Sequence, residues 1–129
     1  MRVLGTHHVA IATPNVERLR EFYAGTLGLP VVGGFPGHGI VFIGAGATAI
    51  ELVPADPPPG EERATGWQHL ALRVDDVDAA WAELTARGVL FHVPPENFPP
   101  EDPAVRIAFF RDPDGNEIEL IQPLTTGDR

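Results

Sequence analysis

The chain contains no cysteine, no lysine and no serine. Those absences exclude a thiolate or serine nucleophile, a Schiff-base lysine and a disulfide framework. Positive charge is scarce as well. Nine basic residues, all arginine, stand against eighteen acidic ones, for a net charge of −9. That balance argues against nucleic acid or an anionic membrane surface as the main partner. The opening Met1-Arg2-Val3-Leu4-Gly5-Thr6 lacks the apolar core of a signal peptide, and no stretch is long enough to span a membrane. A cytoplasmic protein acting on a small molecule is the expectation. The reactive side chains that remain are His, Asp, Glu, Thr, Arg and one tyrosine. At 129 residues the chain suits a single domain, 1–129, with a real core.

What the chain does have is a repeat, and repeats decide architecture. His8 opens the run His8-Val9-Ala10-Ile11-Ala12, and His69 opens Leu70-Ala71-Leu72-Arg73-Val74 in the same way, 61 positions later (69 − 8). A helical stretch follows each run, Val16–Thr26 and Val77–Arg87. Each half then ends in a strand that sets a glutamate between apolar neighbours, Ile50-Glu51-Leu52 and Ile118-Glu119-Leu120. Two nitrogens and two carboxylates repeated in this way suit one borderline divalent metal.

The order of elements reads as βαβββ twice, an α+β class. Val3–Thr13 is a β-branched strand, stopped by Thr13-Pro14-Asn15 with Asn15 placed as a helix cap. Val16, Leu19, Phe22, Tyr23 and Leu27 recur at helical spacing, and Gly28 ends that helix. Leu29–Phe35, Gly39–Gly44 and Ala47–Val53 read as a three-strand meander that completes a first module, 1–53. The proline-rich, acidic 54–66 is the expected linker. In the second module, 67–122, Trp67–Val74 is the strand, and Val77, Ala80, Trp81 and Leu84 form the buried helix face before Gly88. Val89–His92, Ala104–Arg111 and Asn116–Ile121 are strands, Val93–Pro103 is a loop, and Asp112-Pro113-Asp114-Gly115 is a turn. On this reading the second meander lacks a clear counterpart of one strand, displaced into Val93–Pro103.

Successive strand side chains face opposite sides. Val9 and Ile11 oppose His8, Ala10 and Ala12; Leu70, Leu72 and Val74 oppose His69 and Ala71. Ile50 and Leu52 oppose Glu51, and Ile118 and Leu120 oppose Glu117, Glu119 and Ile121. If the aliphatic faces pack on the helices, the metal candidates His8, Glu51, His69 and Glu119 all look the other way, onto the concave face of a curved sheet. The small Ala10 and Ala71 leave room there. His7 points away from His8, His38 sits in a glycine-rich turn and His92 at a strand end, so these three are expected to be structural or solvent-exposed.

These residues resemble the vicinal oxygen chelate superfamily, which includes glyoxalase I, methylmalonyl-CoA epimerase, extradiol dioxygenases and fosfomycin- and bleomycin-resistance proteins. The resemblance is carried by His8-Val9-Ala10-Ile11, by Phe22-Tyr23 with Leu27-Gly28-Leu29, by His69 through Asp78, and by Arg111 through Leu120. It covers almost the whole chain. It implies a half-open barrel of two βαβββ modules (the glyoxalase-like fold) around one divalent ion, Ni, Co, Mn, Zn or Fe, usually in a homodimer. It also implies a substrate chelated through two neighbouring oxygens, with the metal as Lewis acid.

Within the family a glyoxalase-like lyase or isomerase fits best, because it uses the full set His8, Glu51, His69 and Glu119. Glu119 or Glu51 would then act as catalytic base for a carbon-bound proton next to a carbonyl; Tyr23 and Thr6 are reserve candidates. An epimerase is close behind, since Trp67-Gln68-His69 through Asp78 resembles its second module, but such enzymes commonly carry glutamine at the place of Glu51. An extradiol dioxygenase needs only His8, His69 and Glu119, and Glu51 would crowd its open face. A resistance-type binding protein is the non-enzymatic alternative, and it often lacks the ligands retained here. Arg73, Arg106 and Arg111 are the residues able to pair a substrate carboxylate.

Overall fold

A computed structural model of the chain describes residues 1–57, 59–61, 65–111, 113, 115 and 117–124. The elements are β1 (Val3–Thr13), α1 (Val16–Arg20), β2 (Val31–Phe35), β3 (Ile40–Ala45), β4 (Thr48–Pro54), β5 (Gly66–Val74), α2 (Val77–Ala86), β6 (Phe91–Phe98), β7 (Val105–Arg111) and β8 (Glu117–Pro123). This is the α+β class with βαβββ written twice. The chain forms two compact units, His8–Gln68, and Met1–His7 together with the chain from His69 onward. Among the described residues no helix is long and apolar enough to cross a membrane. Of the expected linker, Pro58, Glu62, Arg63 and Ala64 lie outside the described residues, as do Asp112, Asp114 and Asn116 of the expected turn and strand start.

In the first unit the strands lie in the order β2-β3-β4-β1. Strand β1 ends where Pro14 removes a ladder donor. Asn15 then caps α1, its side-chain oxygen accepting from Arg18 N at 3.0 Å. The helix continues past Arg20 as a π-helical turn over Glu21–Thr26, so the expected span is met with a wider winding at its end. Gly28, at φ +76°, takes the left-handed conformation that stops it. Apolar residues of the helix (Val16, Leu19 and Tyr23) cover Ile11, Ile43 and Leu52, which are fully or nearly fully buried. Tyr23 is therefore part of this helix packing. β1 and β4 run parallel with Ala10 opposite Glu51, and β3 runs antiparallel to β4 with Phe42 opposite Glu51.

The second unit repeats the plan with the order β5-β8-β7-β6. Asp76 caps α2 by accepting from Ala79 N at 3.0 Å, and the Gln122 side chain of β8 accepts from Val77 N at 2.9 Å. Two of the orphan donors at the helix start are thereby satisfied. Val77 and Ala80 pack with Val74, Ala108 and Leu120 on one face of the strands. On the other face Ala71, Val105, Ile107 and Ile121 form a separate cluster with Phe98 and Phe109. Trp81 departs from expectation: it is 37% exposed rather than part of the buried helix stripe.

Strand β6 departs too. It runs through Pro94 and Pro95 to Phe98, where a loop was expected, and its pairing with β7 shifts register twice on the way. Proline cannot donate to a ladder, but an outer strand leaves one side of its backbone unpaired, and bulges absorb the missing bonds. β6 is outermost in its order. The second meander is therefore complete, with three strands like the first.

Candidate metal centre

Each unit builds one histidine–glutamate pair by the same construction. In the first, His8 lies two residues before Ala10, the Cα partner of Glu51 in parallel pairing. In the second, His69 lies two residues before Ala71, the Cα partner of Glu119. Two residues along a strand return to the same face, so histidine and glutamate share a side, and the small side chain of the alanine leaves them room to approach each other. His8 Nε2 stands 3.1 Å from Glu51 Oε1, and His69 Nε2 stands 3.1 Å from Glu119 Oε1.

A third residue recurs in each pair. Phe42 faces Glu51 across β3–β4, and its ring meets His8 edge-on with centroids 5.3 Å apart. Phe109 faces Glu119 across β7–β8 and meets His69 edge-on at 5.6 Å. Neither phenylalanine was singled out as a site residue from the sequence. The available signal was a similar offset from the glutamates, nine positions for Phe42 (51 − 42) and ten for Phe109 (119 − 109).

His8, Glu51 and Glu119 are buried, with relative exposures of 1%, 8% and 5%. A carboxylate is costly to bury without a cationic partner, a metal or several donors. An imidazole nitrogen and a carboxylate oxygen are both ligands for borderline divalent ions. Ligand bonds of 2.0–2.2 Å at right angles put neighbouring ligand atoms about 3 Å apart. The 3.1 Å spacing of each pair meets that requirement. By donor chemistry and by spacing, each pair fits one edge of a metal's coordination shell.

The other candidates have different surroundings. His7 is buried one position from His8, and thus on the opposite face of β1. His38 lies in a single 3-10 turn, Pro36–His38. His92 is not merely exposed surface: its Nε2 is 2.7 Å from Glu117 Oε2. Thr6 is exposed on β1. Arg106 binds Asp78 through two hydrogen bonds, and Arg111 Nε lies 3.3 Å from Glu117.

The model of the Glyoxalase/Bleomycin resistance protein/Dioxygenase superfamily matches residues 5–120. The chain belongs to this superfamily. Among its relatives, human mitochondrial methylmalonyl-CoA epimerase is 32% identical over 94 residues, covering 64% of this chain and 53% of the epimerase. The chain thus spans about half the length of the curated mammalian relatives it matches. Lactoylglutathione lyase of Neisseria meningitidis serogroup A is 29% identical over 133 residues, covering 95% of this chain and 91% of the lyase. Of solved structures, methylmalonyl-CoA epimerase from Mycobacterium tuberculosis is similar at TM-score 0.77 and 28% identity, covering 95% of this chain and 90% of that one. The superfamily fold is thus the glyoxalase-like one, and its relatives include both an epimerase and a lyase.

Proposed function

We propose that His8, Glu51, His69 and Glu119 together hold one divalent ion (nickel, cobalt, manganese, zinc or iron) and that the chain is a glyoxalase-like lyase or isomerase. The supporting observation is the repeated pair, with the same register, the same edge-on phenylalanine and the same 3.1 Å spacing in both units. Bound there, the ion would supply Lewis-acid polarisation to two neighbouring oxygens of a small substrate. Four protein ligands leave two positions of a six-coordinate ion for those oxygens.

The protein's own part is proton transfer and positioning. Glu51 or Glu119 takes a proton from the carbon next to a carbonyl and delivers it to the neighbouring carbon, which requires a carboxylate within hydrogen-bond reach of both. The alanines Ala10 and Ala71 leave space on the same strand faces. Burial keeps water from competing for the carboxylates. The lyase of Neisseria meningitidis, matched along 91% of its length, favours the glyoxalase-like version. So does the presence of two glutamates, which the family resemblance associates with that reaction. We read the working unit as a homodimer, as the resemblance implies; sedimentation of a monomer at micromolar concentration would count against it.

The test is metal content followed by turnover of the hemithioacetal of methylglyoxal and a thiol. Turnover should vanish with a chelator and return with added metal. Epimerase activity is the second reading, favoured by the mammalian epimerases at 31–33% identity. It would appear as deuterium exchange at the α-carbon of an acyl thioester without hemithioacetal turnover. Metal-loaded protein that exchanges neither proton, yet binds an aromatic drug tightly, would make a sequestering protein the better reading.

A further inference from the structure

The two modules share one more device, and its occupants differ. In each, the outer strand carries an extra residue against its neighbour near its start. Val31 and Gly33 pair with Ile43 and Phe42, leaving Val32 as the bulge residue. Phe91 and Val93 pair with Phe110 and Phe109, leaving His92 at the same place. Beside the bulge, β3–β4 sets Gly44 opposite Ala49, while β7–β8 sets Arg111 opposite Glu117. Three equivalent positions therefore hold Val32, Gly44 and Ala49 in one module, and His92, Arg111 and Glu117 in the other.

The first set is apolar and closed: a Cβ placed on Gly44 would come 2.9 Å from Val32 Cγ1. The second is a polar cluster, with Glu117 hydrogen-bonded to His92 Nε2 at 2.7 Å and ion-paired with Arg111, whose Nε is 3.3 Å away. The fold is built in the first module without any of these polar side chains. A structural requirement of the βαβββ plan therefore does not account for them, and bulges are favoured places for re-aiming functional side chains.

The cluster adjoins the His69–Glu119 pair. The Phe109 ring lies 5.6 Å from that of His69 and 6.3 Å from that of His92. Glu117 shares a face of β8 with Glu119, two residues or about 6.6 Å along the strand. Away from the pair, His92 and Arg111 line a cavity of about 620 Å³ with Val89, Leu90, Phe91 and Phe110. That volume is in the range of small-molecule sites. Leu90 stands 86% exposed beside it, an apolar side chain the core does not use.

We propose that His92, Arg111 and Glu117 form a subsite for the carboxylate of an organic acid whose hydrocarbon body lies on Leu90, Phe91 and Phe110. Glu117 occupies Arg111 Nε and orients the guanidinium. Among the described residues the terminal nitrogens of Arg111 make no further ion pair, and the planar fork matches a carboxylate. That this acid is the substrate of the metal centre rests on the function proposed above; its recognition does not.

Binding is therefore measured on chelator-treated protein, by NMR titration with phenylacetate and with the neutral phenylacetamide. Phenylacetate should bind, and phenylacetamide should bind at least about tenfold more weakly. Arg111→Gln, and His92→Val, which restores the first module's residue, should each weaken phenylacetate by at least about tenfold. Thermal melting checks that both variants remain folded. Equal affinity for acid and amide, or an unchanged affinity in folded Arg111→Gln, would overturn the subsite. Failure of the enzymatic reading shows separately, as acid binding intact while the metal-loaded protein turns over nothing.

Discussion

Phe109 stands edge-on to His69, with ring centroids 5.6 Å apart and planes at 89°, and is at the same time the cross-strand partner of Glu119. Phe42 repeats both relations with His8 and Glu51, at 5.3 Å and 73°. One aromatic side chain in each unit thus buttresses a whole histidine–glutamate pair. An edge-to-face ring contact adds about 0.5–1.5 kcal/mol to what burial supplies, enough to favour one imidazole rotamer over the alternatives. The two differ in depth: Phe42 is almost wholly buried, whereas Phe109 is half-buried and also meets His92.

That difference separates their mutants. Phe42→Ala should destabilise the protein by about 3–5 kcal/mol, as loss of a fully buried ring does. Phe109→Leu should leave the fold intact and weaken metal binding by about 2- to 12-fold, the factor to which about 0.5–1.5 kcal/mol of lost ring contact corresponds. Denaturant unfolding and calorimetric titration with nickel measure the two effects. Unaltered nickel affinity in Phe109→Leu would show that the ring only fills space.

The ligand set predicts a graded response to substitution. His69→Ala should abolish stoichiometric metal, read by elemental analysis of the purified variant. Glu51→Gln should retain more metal than Glu51→Ala, because the amide oxygen still coordinates while the charge is lost. Full metal content in folded His69→Ala would remove His69 from the centre.

Much of this was legible in the chain, for a definite reason. The faces of His8 and His69 follow from strand alternation, which needs no knowledge of neighbours. Ile11 and Leu72 do pack toward the helices, as the alternation requires. Phe42 and Phe109 were not legible in the same way, since their role depends on inter-strand register. Strand β6 was hidden because Pro94-Pro95-Glu96-Asn97 has loop composition, and only an outer position makes such a strand tolerable. The π-helical end of the first helix was hidden too. Its bond from Leu27 N to Phe22 O, 2.9 Å, reaches back five residues instead of four, a difference apolar spacing does not encode.

Acid stability tests a contact away from the centre. Arg106 of β7 donates to both oxygens of Asp78 in the first turn of α2, at 2.7 and 3.0 Å. Chiefly through that hydrogen bonding, and less through charge attraction, the Asp78 carboxyl is held below its ordinary pKa, against an opposing effect of burial. A pKa lower in the folded chain means the contribution is complete above the unfolded value, about 3.9, and is lost as pH falls through the folded one. Asp78 is half exposed, so solvent screening limits the pair to under about 1 kcal/mol. The melting temperature of the wild type should therefore exceed that of Asp78→Asn by a constant small margin from pH 7 to about pH 4, then converge with it below. A margin that widens toward acid would contradict this linkage.

The catalytic prediction turns on the two carboxylates. Glu51 and Glu119 hold equivalent places, each 3.1 Å from its histidine and each nearly buried. If one is the base, its glutamine variant should keep the metal yet lose turnover of the hemithioacetal by about 10² to 10⁴. Glutamine at the other position should act mainly through metal affinity, so added metal should recover much of its activity. The assay compares Glu51→Gln and Glu119→Gln at saturating metal, reading kcat directly. Saturating metal separates the roles because it repairs a weakened ligand but supplies no proton acceptor. Equal recovery of both variants to wild-type kcat would mean that neither carboxylate moves the proton, and the assignment of the base to this pair would fall.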